Sequence, residues 1–310
     1  MDITVEPLEP AFDETYDVAI VSVGYEQRSS FLAPTLSGDA KIAIVFTDRH
    51  VHSFDENLRV IERCGFRTVS GSGAFVEEIA ESVRSRSLVT PGRPLRVAFD
   101  ISSMTRQWIA DIVCAMRDTG VRVSADFLYT IAHFTAPPEP PLTQYAGPVT
   151  PQLAGWDEPD KPLSLLLGLG YEKDRALGAA ELLEPSELYV FSPVSIDIDY
   201  ERALEAANVD LWGLAPTHTH RFTYQISRPF DTFVQLESLA EGLLRRRRVV
   251  LLPLGPKIFA LCTVLLAASQ SAYGVWRVSA GEHETPVDRK AAGTVVGLRV
   301  QFLPEGSAVP

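Results

Sequence analysis

The chain has 310 residues, 46% apolar and 22% charged, with a formal charge of -12 at pH 7. These proportions fit a folded protein with room for two ordinary domains and exclude a mostly disordered chain. The acidic balance argues against a broad basic face for long nucleic acid, although a few local cations suffice for a small anion.

Residues 1–14 are acidic and lack a basic start ahead of an apolar core, which predicts no secretion signal. Apolar runs then predict strands at 17–23, 41–46, 67–69, 95–99 and 121–129. They are nearly continuous in apolar residues, as parallel strands covered on both faces are. Between them, Phe54, Leu58, Ile61 and Cys64, then Val76, Ile79 and Val83, then Trp108, Ile109, Ile112, Val113 and Met116 recur at helical spacing. Residues 136–162 are rich in proline and read either as a semi-rigid connection, most rigid at 137–141, or as an ordered loop that packs on one lobe.

Beyond the connection the plan repeats, with strands predicted at 163–167, 188–191, 220–226, 249–252 and 275–278, an extra one at 294–302, and a frayed tail at 307–310. Helices are predicted near 200–207, 230–246 and 258–268. The longest apolar stretch, 249–268, is broken by Pro253, Gly255, Pro256 and Lys257, so it reads as strand, loop and buried helix and not as a membrane span. Alternation of strands and helices predicts an α/β fold class: two tandem Rossmann-like lobes with mostly parallel sheets, related by internal duplication. The expected division is residues 1–135, 136–162 and 163–310.

The duplication is most visible in a repeated tripeptide. Gly24-Tyr25-Glu26 with Arg28 beyond it ends one apolar run, and Gly170-Tyr171-Glu172 with Arg175 beyond it ends another. Farther on, the run 95–99 opens into Asp100, Ser102, Ser103, Thr105 and Arg106, and the run 249–252 opens into Gly255 and Lys257. In an open parallel sheet these are the carboxyl ends of strands, where ligands bind. Glycines allow close backbone approach, hydroxyls donate to phosphate oxygens, and Arg106 and Lys257 supply charge. Helix capping by Ser102 or Ser103 accounts for one hydroxyl but not for the whole set.

The tyrosines could stack on bases, with Arg28 and Arg175 neutralising phosphate and Glu26 and Glu172 accepting hydrogen bonds. Alternatively Glu26 or Glu172 is the nucleophile or general base of an enzyme that cleaves or transfers a nucleoside or phosphoribosyl group. A third reading makes each Glu-Arg pair a brace for its loop. His50 with His52, and His218 with His220, stand at alternate positions but without cysteines or clustered carboxylates, so no metal is predicted. No cofactor is predicted either. Cys64, Cys114 and Cys262 suggest neither disulfides nor zinc, and the Arg245–Arg248 run reads as a solvated helix end.

The stretch Asp100-Ile101-Ser102-Ser103-Met104-Thr105-Arg106 resembles the Asp-x-Ser/Thr-Gly-Gly-Thr-Lys signature of CRISPR-associated Rossmann-fold (CARF) sensor domains, matching at Asp100, Ser102, Thr105 and Arg106. Ser103 and Met104 stand where that signature prefers glycines. Two such lobes in one chain are similar to the architecture of SAVED domains, which bind cyclic oligonucleotide messengers in bacterial antiviral systems. The resemblance implies a sensor or adaptor for a nucleotide-derived small molecule that works with a protein partner or effector, while the thiols fit a cytoplasmic protein and the broken 249–268 stretch predicts no membrane contact. The duplicated loops predict two lobes facing each other about a pseudo-twofold axis, with a shared anionic site built from the loops after the first and fourth strands. A non-catalytic assembly subunit is the remaining alternative.

Overall fold

In the computed structural model the chain forms two compact units, Met1–His133 with Pro286–Pro310, and Phe134–Thr285. The structure describes all residues except 1, 137, 140, 196, 215–218, 282–284 and 305–310.

Unit one contains β1 (Asp2–Leu8), β2 (Thr15–Val23), β3 (Ser37–Val45), α1 (Phe54–Arg63), β4 (Arg67–Ser70), α2 (Phe75–Val89), β5 (Leu95–Asp100), α3 (Arg106–Asp118), β6 (Val123–Ala132) and, from the chain's end, β13 (Ala291–Leu303). Its seven-stranded sheet runs β1-β13-β6-β5-β2-β3-β4. The five strands from β6 to β4 are parallel, and β13 lies antiparallel to both β6 and β1.

Unit two contains β7 (Tyr145–Pro148), β8 (Leu163–Gly168), α4 (Arg175–Leu183), β9 (Glu187–Val194), α5 (Ile198–Ala207), α6 (Val209–Leu214), β10 (Thr219–Gln225), α7 (Pro229–Leu244), β11 (Arg248–Pro253), α8 (Lys257–Ser269) and β12 (Tyr273–Ser279). Its sheet runs β10-β9-β8-β11-β12-β7, with only β7 antiparallel. Counting the parallel strands along the chain, both units have the spatial order 3-2-1-4-5. The α/β class and the duplication therefore hold at the level of topology.

Burial explains why these runs become strands and helices. Residues 16–23 of β2 are buried without a break, as a strand covered on both faces requires. Every residue from Ile258 to Ala268 of α8 is buried, so this helix is apolar all round and fills the space against α7, β11 and β12. The two units differ most between their first and second strands. Unit two has α4 there, whereas unit one has a single 3-10 turn, Gln27–Ser30, followed by further turns.

Three boundaries differ from expectation. The strand expected at 294–302 belongs not to the second lobe but to the sheet of unit one, so unit two is inserted between β6 and β13. The stretch taken as a connection is part of unit two: β7 pairs with β12, and the backbone N–H groups of Val149 and Trp156 donate to the carbonyls of Val275 and Ser271. Residues 2–8, for which no strand was expected, form the edge strand β1. The expected frayed tail, Ser307–Pro310, lies outside the described residues, as do Pro137 and Pro140 of the proline-rich stretch.

The returning strand is fastened by a buried charge cluster. Arg299 in β13 stands directly opposite Asp126 in β6 and donates to both of its carboxylate oxygens, at 2.7 Å each. Asp126 is 2% exposed and also accepts from the Tyr16 hydroxyl of β2 at 2.9 Å. Burial, then the Asp126 charge, pushes the Tyr16 phenol above its ordinary range, so it stays a donor. Glu14 joins Arg299 and Arg96 at the margin of the cluster. Removing Asp126 leaves a guanidinium and a phenol uncompensated. Asp126→Ala is expected to destabilise unit one by about 3 kcal/mol. Native-state hydrogen exchange measures this: β13 amides should lose protection while α8 amides keep theirs.

Candidate functional site

In each unit the first strand lies between the second and the fourth, so successive connections diverge from it and leave a crevice at the carboxyl ends. The repeated residues all fall there. Gly24 to Arg28 follows β2, and the loop from Asp100 leads from β5 into α3. Gly170 to Arg175 follows β8, and Leu254 to Lys257 leads from β11 into α8. The two Gly-Tyr-Glu segments thus occupy the same topological position.

In unit one, Glu26 is 5% exposed and Arg28 3% exposed. Arg28 Nε donates to Glu26 Oε2 at 2.6 Å, Arg289 Nη1 donates to Glu26 Oε1 at 3.0 Å, and Arg28 Nη1 donates to the Thr130 carbonyl at 2.8 Å. The Arg28 guanidinium also sits 5.3 Å from the centre of the Tyr129 ring. Burial works against the charged form of Arg28, but Glu26 and Tyr129 together outweigh it and raise its pKa. Glu26 and Arg28 are therefore a brace for the loop, and Arg28 is not presented to solvent. Tyr25 is half-buried, edge-on to His52, with its phenol pushed up by burial and then by Glu26.

The fourth-strand loop of unit one divides its polar groups between structure and crevice. Asp100 Oδ1 accepts from the Ser102 backbone N–H at 2.9 Å, and the Ser102 hydroxyl accepts from the Thr130 N–H at 2.8 Å. Thr105, not Ser102 or Ser103, caps α3: its hydroxyl accepts from the Trp108 N–H at 3.0 Å. Met104 is fully buried in the core, which accounts for a large side chain at that position of the loop. Ser103 is left over. It is 8% exposed, its hydroxyl has no hydrogen-bond partner among the described residues, and a Cβ on Gly24 would lie 3.1 Å from its own Cβ. Arg106 opens α3 and is half-buried.

In unit two the same two loops touch through backbone. A Cβ on Gly170 would lie 2.8 Å from the Leu254 carbonyl oxygen, and one on Gly255 would collide with the Leu169 carbonyl oxygen. Both positions thus require glycine for close approach. Lys257 opens α8 after Pro256, and no side chain caps that helix. Arg175 opens α4 behind Asp174, whose φ is 62°. Tyr171 forms an edge-to-face trio with Phe134 and Tyr200, ring centres 5.5 to 6.1 Å apart. Glu172 is half-buried and, unlike Glu26, makes no ion pair among the described residues.

The described members of the two histidine pairs make packing and backbone contacts. His50 stacks on Phe54 with centroids 4.0 Å apart, His52 Nε2 lies 3.3 Å from the Pro286 carbonyl, and His220 stacks on Tyr189. His218 lies outside the described residues. In the Arg245–Arg248 run, Arg247 pairs with Glu187 and Arg248 donates to the Lys161 carbonyl, while Arg245 and Arg246 are exposed.

Two features had no sequence signal. Asn57 and Asn208, each 2% exposed, donate through Nδ2 to the carbonyl of the tripeptide glycine, Asn57 to Gly24 at 2.8 Å and Asn208 to Gly170 at 2.9 Å. Asn57 stands within α1, whereas Asn208 caps the end of α5, so no shared spacing marks them. The second feature is a pair of half-buried aromatic rings, Phe46 and Trp108, stacked at 4.2 Å beside Gly24. Phe46 follows the second parallel strand and Trp108 stands in the first turn of the helix after the fourth, so only the sheet order brings the two together and no local signal pairs them.

The contrast between the two glutamates gives a direct test. Glu26→Gln leaves the buried Arg28 charge without its counter-ion and is expected to cost about 3 to 5 kcal/mol. Glu172→Gln removes no ion pair and should change stability by less than about 0.5 kcal/mol. Urea unfolding of the two variants, followed in parallel, measures the difference.

The chain matches no family model and no curated protein. Among solved structures it is similar to a universal stress protein from Archaeoglobus fulgidus DSM 4304, at 13% identity and a TM-score of 0.25, with 84% of this chain and 95% of that chain covered. A likeness at that level says nothing about activity.

Proposed function

We propose that the protein is a sensor or adaptor that binds a nucleotide-derived anionic small molecule at these crevices. The observation that carries the reading is the repetition of one arrangement. At the switch point of each sheet a glycine-bearing first loop meets a fourth loop, which leads into a helix whose first residue is basic, Arg106 in α3 and Lys257 in α8. A helix amino end and an adjacent cation both favour phosphate. Ser103 adds a buried hydroxyl that lacks a partner, and the stacked Phe46 and Trp108 offer a ring surface of the kind bases stack on.

Binding suits these residues better than chemistry at Glu26, because Arg28 and Arg289 already engage both of its carboxylate oxygens. Tyr25 and Tyr171 shape the crevice walls. The resemblance of residues 100–106 to the CARF signature extends the proposal to a cyclic oligonucleotide messenger, read out through a partner effector in bacterial antiviral defence.

Thermal-shift measurements against linear and cyclic nucleotides test this. A ligand at a hundred times its dissociation constant should stabilise the fold by about 2.7 kcal/mol. Arg106→Ala should weaken that ligand roughly tenfold or more, the loss of charge-assisted hydrogen bonds to phosphate. No shift with any nucleotide, or a shift accompanied by turnover that Glu172→Gln abolishes, would overturn the proposal.

A further inference from the structure

A cavity of about 410 Å³ lies in unit two between the carboxyl-terminal halves of α7 and α8 and the start of β12. It is at the amino ends of the parallel strands, the opposite end of the sheet from the crevice, and nothing in the nucleotide reading uses it. Glu237 and Glu241 both line it, one helical turn apart on α7. Like charges at that spacing repel, and Glu241 stands in the last turn, where the helix dipole disfavours an anion.

No basic residue in the last turn of α7 offsets them, and neither carboxylate makes an ion pair or hydrogen bond among the described residues. Arg245, at the rim, is the one cation among the lining residues and pairs with neither. Burial raises the Glu237 carboxyl, and Glu241 adds to the rise.

A second observation is independent of the carboxylates. Tyr273 lines the same cavity and is 2% exposed, yet its hydroxyl has no hydrogen-bond partner among the described residues. A buried phenol normally finds one. Its pKa is pushed up to about 12 by burial, then by Glu241 and Glu237, so both carboxylates are within electrostatic reach. Two carboxylates without counter-charges and a hydroxyl oxygen with a free lone pair face one space, and a single donor-rich cation could donate to all three.

We propose that this cavity binds the ammonium head of a small alkyl amine, with Glu237 and Glu241 as counter-charges, Tyr273 Oη as a third acceptor, and Leu244 and Leu266 against the alkyl chain. A divalent metal fits less well, because hard cations take six or more oxygen ligands, three of the eight lining side chains carry no oxygen, and no third carboxylate, histidine or cysteine joins the pair among the described residues. The site is independent of the crevices, and its failure would leave the nucleotide reading untouched.

Isothermal titration of the full chain with n-butylammonium chloride, sodium butanesulfonate and magnesium chloride at matched ionic strength tests the proposal. Butylammonium should bind with one-to-one stoichiometry and butanesulfonate should not. Glu237→Gln, Glu241→Gln and Tyr273→Phe should each weaken butylammonium, the two glutamate variants by roughly tenfold or more, and Arg106→Ala should leave it unchanged. If Glu237→Gln proves unfolded by circular dichroism, the exposed Glu241→Gln decides. Absence of saturable butylammonium binding, binding that survives both glutamate variants, or magnesium binding in its place would overturn it.

Discussion

The position of the first strand at the centre of each sheet is the constraint on which the rest depends. With β3 on one side of β2 and β5 on the other, and β9 and β11 likewise flanking β8, the loops leaving the first and fourth strands must emerge side by side. The repeated glycines, Ser103, Arg106 and Lys257 are all carried by those loops or the helix starts they lead into, and their contact sets the local chemistry of the crevices. In unit one Gly24 meets the Ser103 side chain; in unit two Gly170 and Gly255 meet backbone carbonyls. Glycine at these positions is a packing requirement before it is a functional one.

Duplication has kept the scaffold and let the fittings diverge. Both units hold the tripeptide glycine carbonyl with a buried asparagine amide, yet the amide arrives from different points of the helical layer. Glu26 is locked by two guanidiniums, one of them from the segment that returns after unit two, whereas Glu172 has no such partner. Unit one has traded the helix after its first strand for a 3-10 turn, and its loop depends on that external support. The glutamate of the same tripeptide is thus a brace in one copy and, in the other, half-buried without an ion pair among the described residues.

Much of this was legible in the chain. Parallel strands covered on both faces are rich in apolar residues, so β2, the second half of β3, β5, β8 and β11 announce themselves as nearly continuous apolar runs, and α3 and α8 follow from helical spacing or length. The repeated tripeptide marked equivalent strand ends because both copies follow the first strand of a sheet. What could not be read depended on distant partners. Nothing local says that β13 crosses back to unit one, although the alternation of Val296, Leu298, Val300 and Phe302 on its buried face is the pattern of an antiparallel strand. The Arg289 bond to Glu26 spans 263 positions. The capping role of Thr105 was open to Ser102 and Ser103 as well, since any of the three hydroxyls has the right chemistry, and only the backbone path selects one.

The most direct measurement of the central claim is residue-specific amide NMR of the full chain during titration with the nucleotide that stabilises it most. If the crevices are the binding sites, the amides of Ser103 to Gln107 at the start of α3, and of Gly255 and Lys257 to Phe259 at the start of α8, should shift first and saturate together with the rise in stability. Shifts confined to other surfaces, with those amides unmoved at saturation, would contradict the account.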